Sequence, residues 1–125
     1  REIRDGSPFG GDARALWRVS VPPVEGARLV ASLREKLVIE AYYDWAGGLV
    51  WLALAAGEDA GVEAIQTAAV AHGGHATLLR APVQIRAAIS VFQPQAPAIA
   101  ALTARLKESF DPSAVLNPGR MYPGV

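Results

Sequence analysis

Cysteine is absent from this sequence, which removes disulfide bonds and thiolate metal sites and is compatible with a cytosolic origin. Lysine is scarce, with Lys36 and Lys107 standing alone, and the arginines are scattered rather than clustered. Neither charge is in excess: Lys+Arg and Asp+Glu both number 12, so no field exists to draw in nucleic acid or an anionic lipid surface. Long apolar runs are also missing. The longest, Leu49 to Ala56, falls far short of the ~20 residues that a bilayer span needs. The opening residues Arg1 to Asp5 are charged and carry no signal-peptide pattern. They do not begin with methionine, so the chain reads as part of something longer. No Walker glycine loop, no strand followed by G-x-G-x-x-G and no G-x-S-x-G elbow is present, which excludes those nucleotide-binding and hydrolase classes. With 125 residues, the chain is long enough for one domain with a real core.

What is present has clear periodicity. Residues 1–14 are polar and glycine-bearing and read as a linker. Leu16 to Val21 alternates, with Trp17, Val19 and Val21 on one face and Leu16, Arg18 and Ser20 on the other, which predicts a half-buried strand. Pro22-Pro23 ends it and opens a helix whose stripe is Val30, Leu33 and Leu37. Two strands, Val38 to Trp45 and Leu49 to Ala55, flank a tight turn at Ala46-Gly47-Gly48. The first points Ile39, Ala41 and Tyr43 inward, opposite Glu40, Tyr42 and Asp44. The second is apolar on both faces, which predicts cover on both sides. Asp59 is placed to cap a second helix with the stripe Val62, Ile65 and Ala69, and Gly73-Gly74 ends that helix before a fourth strand, His75 to Ala81. Strand, helix, strand, strand, helix, strand is the ferredoxin-like split βαβ plan, an α+β fold in which four antiparallel strands carry two helices on one face. The core thus spans 15–81. Residues 82–125 form a connection, with one helical turn near Val83 to Ala88, then a third helix from Pro97 to Ser109 and a tail.

The third helix carries the stripe Ile99, Leu102, Leu106 and Phe110, with Arg105, Lys107 and Glu108 outward. In the tail, Asp111 before Pro112 reads as the cap of one further turn through Ser113 and Ala114. Pro118 pushes Asn117 away from the helical region, and Gly119 allows a positive φ. Read locally, this is a helix stop with a stiff exit. Its tip, Asn117 to Arg120, also combines an amide, bare backbone and a guanidinium, a set that suits a polar ligand.

Other chemistry is sparse. His72 and His75 are the only histidines, and without cysteine or a neighbouring carboxylate at the right spacing they lack the ligands for a metal site. Of the adjacent Tyr42 and Tyr43, one must face the core. Tyr42, on the polar face, is a candidate hydrogen-bond donor to substrate or a half-buried structural residue. Arg18 and Arg80 suit a small carboxylate or an ion pair equally well.

The tail FDPSAVLNPGR (110–120) resembles the ending of FAD-linked oxidases of the vanillyl-alcohol-oxidase type. Together with LWRVSVPP (16–23) and GGHATLLRAP (73–82), it resembles the FAD-binding subunit of bacterial glycolate oxidase, over nearly the whole chain from Leu16 onward. The resemblance implies a C-terminal cap domain that closes over FAD held mainly by an N-terminal flavin domain, to which the tail returns. It implies oxidation of a small 2-hydroxy acid, glycolate to glyoxylate, with electrons passed through a catalytic flavoprotein subunit and an iron–sulfur subunit. It implies a cytoplasmic protein, peripheral on the inner membrane through those partners. Matching motif positions make Asn117, Pro118, Gly119 and Arg120 the first candidates for contact near the flavin, with His75 and Arg80 next; Arg18 and Tyr42 stay substrate candidates on their own chemistry. No residue is assigned as the base. The histidine-rich metal motif of the related catalytic subunit is missing here. The chain alone is expected neither to bind FAD tightly nor to turn over. A cap from another 2-hydroxy-acid or aldonolactone oxidase would keep the flavin and change the substrate. The rival reading is a stand-alone ferredoxin-like module whose open sheet face binds a ligand or a second copy.

Overall fold

The computed structural model describes residues 14–125; the expected linker 1–14 lies outside them except for Arg14. Four strands, β1 (Ala15–Ser20), β2 (Ile39–Asp44), β3 (Leu49–Leu54) and β4 (His75–Arg80), form one sheet in the order β2-β3-β1-β4. Every pairing is antiparallel. Helices α1 (Gly26–Arg34) and α2 (Val62–Ala71) are the two crossovers, so the fold is the ferredoxin-like split βαβ.

The alternation of β1 has the consequence expected of it. Trp17 and Val19 enter a core with Val50, Leu52, Ala76 and Leu78 from the sheet, and Leu29, Val30, Leu33, Ile65 and Ala69 from the helices. Burying each of the larger aliphatic side chains stabilises by about 1.5–3 kcal/mol. The Trp17 indole N–H, which would be costly to bury unpaired, donates to the Ala60 carbonyl at 2.9 Å. β3 is covered on both faces. Its second face contributes Trp51 and Ala53 to a smaller cluster with Leu16, against which Tyr42 and Leu49 pack.

The turns hold the predicted punctuation with small displacements. α2 ends in a Schellman motif: Gly73 takes φ +71°, its N–H donates to Val70 at 3.0 Å, and the Gly74 N–H donates to Ala69 at 2.8 Å. Asp59 sits three residues before the helix start and accepts from the Gly61 N–H at 2.9 Å, a turn rather than a direct cap. The β2–β3 hairpin begins its turn one residue early. Trp45 leaves the strand at φ +50°, held by the Asp44 carboxylate, which accepts from its N–H at 2.8 Å.

The chain divides into two compact units, one through Gln93 and the other from Pro94 to Val125. Residues 82–93 therefore belong with the sheet. Helix α3 (Val83–Ala88) and the strand-like return after it bring Ile85, Ile89 and Val91 against the core. The Leu78 N–H donates to Val91 at 2.9 Å, and Thr77 pairs with Phe92, so this return covers the outer edge of β4.

The second unit is helix α4 (Pro97–Phe110) and the tail. Here the expected facing holds only in part, with Arg105 and Glu108 exposed as expected. Ile99, Leu102 and Leu106 are half exposed and Phe110 is 83% exposed, whereas Lys107, expected outward, is largely covered. The reason is the buried Asp111 at the end of α4. Its carboxylate accepts from Lys107 Nζ at 2.6 Å and from the Val115 and Leu116 N–H groups at 3.0 and 2.8 Å. Lys107 Nζ also donates to the Leu116 carbonyl. These bonds draw the tail against the polar face of the helix. Asn117, expected to leave the helical region before Pro118, has φ +47°, a left-handed conformation that asparagine tolerates better than most side chains. Gly119 takes φ +68°, as the tail pattern requires.

Candidate functional site

Strand register decides which residues meet on the sheet face opposite the helices. Residues directly opposite one another on antiparallel strands project to the same side, ~5 Å apart. Across β2, β3, β1 and β4, one row of such partners is Asp44, Leu49, Ser20 and His75; the next is Tyr42, Trp51, Arg18 and Thr77. A third row holds Glu40, Ala53 and Leu16, and reaches Arg80 across an irregularity between Leu16 and Trp17.

The first two rows and the hairpin tip enclose a cleft of about 420 Å³, lined by Arg18, Ser20, Trp45, Leu49, Trp51 and His75, with Asp44 at its side. Trp51 is its floor, only 4% exposed. Its indole is stacked on Tyr42, with ring centroids 5.8 Å apart and planes inclined by 16°. The indole N–H is buried and has no hydrogen-bond partner among the described residues. Burial pushes the Tyr42 phenol above its ordinary pKa, and the Asp44 charge adds to the effect, so this hydroxyl stays protonated. Asp44 is occupied in holding the Trp45 N–H. Arg18 is exposed, and among the described residues its guanidinium makes no hydrogen bond or ion pair. The cleft is thus rich in donors, with an aromatic floor and one engaged carboxylate.

Of the candidates read from sequence, Arg18 and His75 come together in this cleft, and Tyr42 supports its floor. Arg80 does not join them; it closes β4, where His75 opens it. The remaining histidine serves a different joint. His72 Nδ1 lies 2.7 Å from Glu25 Oε2, tying the end of α2 to the turn before α1. That hydrogen bond, with Arg28 adding to it, holds the Glu25 carboxyl below its ordinary pKa. Among the described residues no three His, Asp or Glu side chains gather as a metal site would require. Trp45 and Leu49 were not legible as cleft residues. Trp45 reads as the last position of a strand, and only Asp44 ahead of the Gly47-Gly48 pair hints that the turn begins there.

The tail candidates form a separate place within the C-terminal unit. Residues 117–120 make one turn, with the Arg120 N–H donating to the Asn117 carbonyl at 3.3 Å. Asn117 and Arg120 line a hollow of about 520 Å³ with Gln95, Thr103, Lys107 and Tyr122. Pro118 and Gly119 shape the turn without lining the hollow. Lys107 is already committed to Asp111. The resulting low pKa of the Asp111 carboxyl, caused first by Lys107 and then by the Leu116 and Val115 N–H groups, keeps that carboxylate ionised.

No family model matches the chain, and no solved structure gives a significant match. Among curated proteins, the glycolate oxidase subunit GlcE of Escherichia coli (strain K12) is 35% identical over 115 residues, which is 92% of this chain and 28% of that protein. The chain therefore spans little more than a quarter of the relative's length. Across nearly all of its own length, the chain is homologous to part of the glycolate oxidase subunit GlcE.

Proposed function

We propose that this chain is the cap, or substrate-side, domain of an FAD-dependent oxidoreductase subunit that oxidises a small 2-hydroxy acid, with glycolate to glyoxylate as the reference reaction. The 35% identity to GlcE carries the reading. The donor-rich sheet face opposite the helices supports it, because a roof over a substrate needs groups that face away from the domain's own core. FAD supplies a two-electron acceptor for the hydride on the hydroxyl-bearing carbon of such a substrate. The described residues do not fit its pyrophosphate. At the start of α2, where backbone N–H groups favour an anion, those of Gly61 and Val62 are already taken by the Asp59 carboxylate and carbonyl. The cofactor would then be held mainly by a flavin domain outside this chain, with Asn117 and Arg120 of the returning tail beside it. What this chain's residues would do is cover the reacting centre, exclude water and orient an acid through Arg18. Electrons would leave through partner subunits, a flavoprotein and an iron–sulfur protein, with the assembly peripheral on the inner membrane. Among the described residues no helix is long and apolar enough to cross a membrane.

The test uses the natural full-length protein. It should purify with flavin that glycolate bleaches under anaerobic conditions, and Arg120→Ala or Asn117→Ala should lower flavin content or the bleaching rate. Unchanged flavin and rate in both variants would remove the tail from the site. Stoichiometric, tight FAD binding by residues 1–125 alone would overturn the cap reading itself.

A further inference from the structure

We propose that the open-face cleft takes a 2-hydroxy acid with an apolar body, larger than a two-carbon acid, holding its carboxylate on Arg18 and its body against Trp45, Leu49 and Trp51. The proposal rests on reading this face as the substrate side and changes which acid that face selects. Three observations carry it.

The first is size. A volume of about 420 Å³ is in the range of pockets that enclose whole organic ligands, and a two-carbon acid would leave most of it to water. The second is the wall. Trp45 is 77% exposed and sits at φ +50°, a conformation in which a bulky side chain is an outlier. The Asp44 carboxylate fixes that turn through the Trp45 N–H. Trp45 is thus held at the mouth of the cleft rather than folded into a core, while Trp51 and Leu49 continue the apolar surface inward. A strained, uncovered aromatic beside a concave surface is placed for contact with something that arrives.

The third is charge. Arg18 projects from the centre of the sheet between Trp51 and Thr77 and has no acid to pair with among the described residues. His75 and Ser20 stand opposite each other in the adjacent row. The Trp51 indole N–H adds an unused donor in the floor. A guanidinium flanked by donors selects an anionic oxygen ligand, and its planar fork matches a carboxylate.

The experiment measures binding of glycolate, phenyllactate and phenyllactamide to the full-length protein by calorimetry, with flavin content read on the same preparations. Phenyllactate is expected to bind at least about tenfold more tightly than the neutral amide, the size of a hydrogen bond to a charged group. It should also bind at least about tenfold more tightly than glycolate. Arg18→Gln should erase the preference for acid over amide, with Arg18→Lys restoring part of it. Trp45→Ala should erase the preference for phenyllactate over glycolate and leave the acid preference in place. Equal binding of glycolate and phenyllactate would overturn the proposal, as would an acid preference that survives Arg18→Gln. If the protein carries flavin but shows no such preferences, this inference fails alone. If it lacks flavin, the oxidoreductase reading fails while the binding comparison stays readable.

Discussion

In the sheet unit, Trp17, Leu33 and Ile65 are out of water; in the C-terminal unit, Ile99, Leu102 and Leu106 are half exposed, and the buried residue is Asp111. Both segments carry apolar residues at the spacing of a packed element. The first encloses its stripe between two helices and a sheet. The second turns a polar face inward because Asp111 and Lys107 hold the tail there, and the apolar stripe is left on the surface. Hydrophobic burial is the organising force in one, and a local hydrogen-bonded knot in the other. An apolar stripe in sequence reports that a helix has something to bury; it does not say that the partner lies within reach.

Four experiments test that contrast. Trp17→Ala should be the most damaging, costing about 3–5 kcal/mol in urea unfolding, because it opens a cavity in the core and removes the bond to Ala60. A loss under 1 kcal/mol would mean that the sheet unit is not the stability core. Gly74→Ala should cost about 1–3 kcal/mol, since a Cβ there would run into the Ser20 carbonyl oxygen and β1 would have to shift. Circular dichroism melting of this variant beside Gly73→Ala separates crowding from conformation: at Gly73 the space is open and only the positive φ matters.

Asp111→Asn should act locally. Hydrogen exchange at the Val115 and Leu116 amides should speed up, while the amides of β1 and β3 keep their protection. The pH dependence has a definite sign. The folded carboxyl titrates below its ordinary value, so its contribution is complete above about pH 4 and is lost as pH falls through the lower, folded pKa. Chemical shifts of residues 115–120 should therefore titrate below pH 4 in the parent chain and not in Asp111→Asn. A tail that titrates near pH 6 would assign the knot to another group. The smallest effect belongs to Leu102→Gln with Leu106→Gln. At half-exposed positions the pair should change stability of the isolated chain by less than about 0.5 kcal/mol per site. A loss comparable to a core substitution would show that α4 does bury this stripe in solution.

Much of the sheet unit was legible before any coordinates. Period-two alternation separated Trp17 and Val19 from Arg18 and Ser20, Gly73-Gly74 marked the end of α2, and a strand apolar on both faces was central and doubly covered. The two-residue signals at turns were less accurate, as the early departure of Trp45 shows, because an Asx bond can start a turn before the glycines that complete it. The tail was harder. Pro118 disfavours helical geometry at Asn117, but the local preference between extended and left-handed backbone is small enough for the Asp111 knot to override.

The cleft was half legible. Its separate contributors on β1 and β2 were visible as a polar face, and Arg18 and His75 both stood out. Their meeting did not, because period two identifies a face and says nothing about register. Ser20 and His75 are neighbours only because β1 pairs with β4, and Arg18 lies over Trp51 only because β1 also pairs with β3. What the sequence alone determined was local: which side chains face together along each strand, where helices stop, and that 2.0- and 3.6-residue periods build an α+β layer. What tertiary structure decided was which of those faces oppose one another across long stretches of chain, and which apolar stripe finds cover. Those outcomes depend on contacts between distant residues, whose free energies no single segment contains.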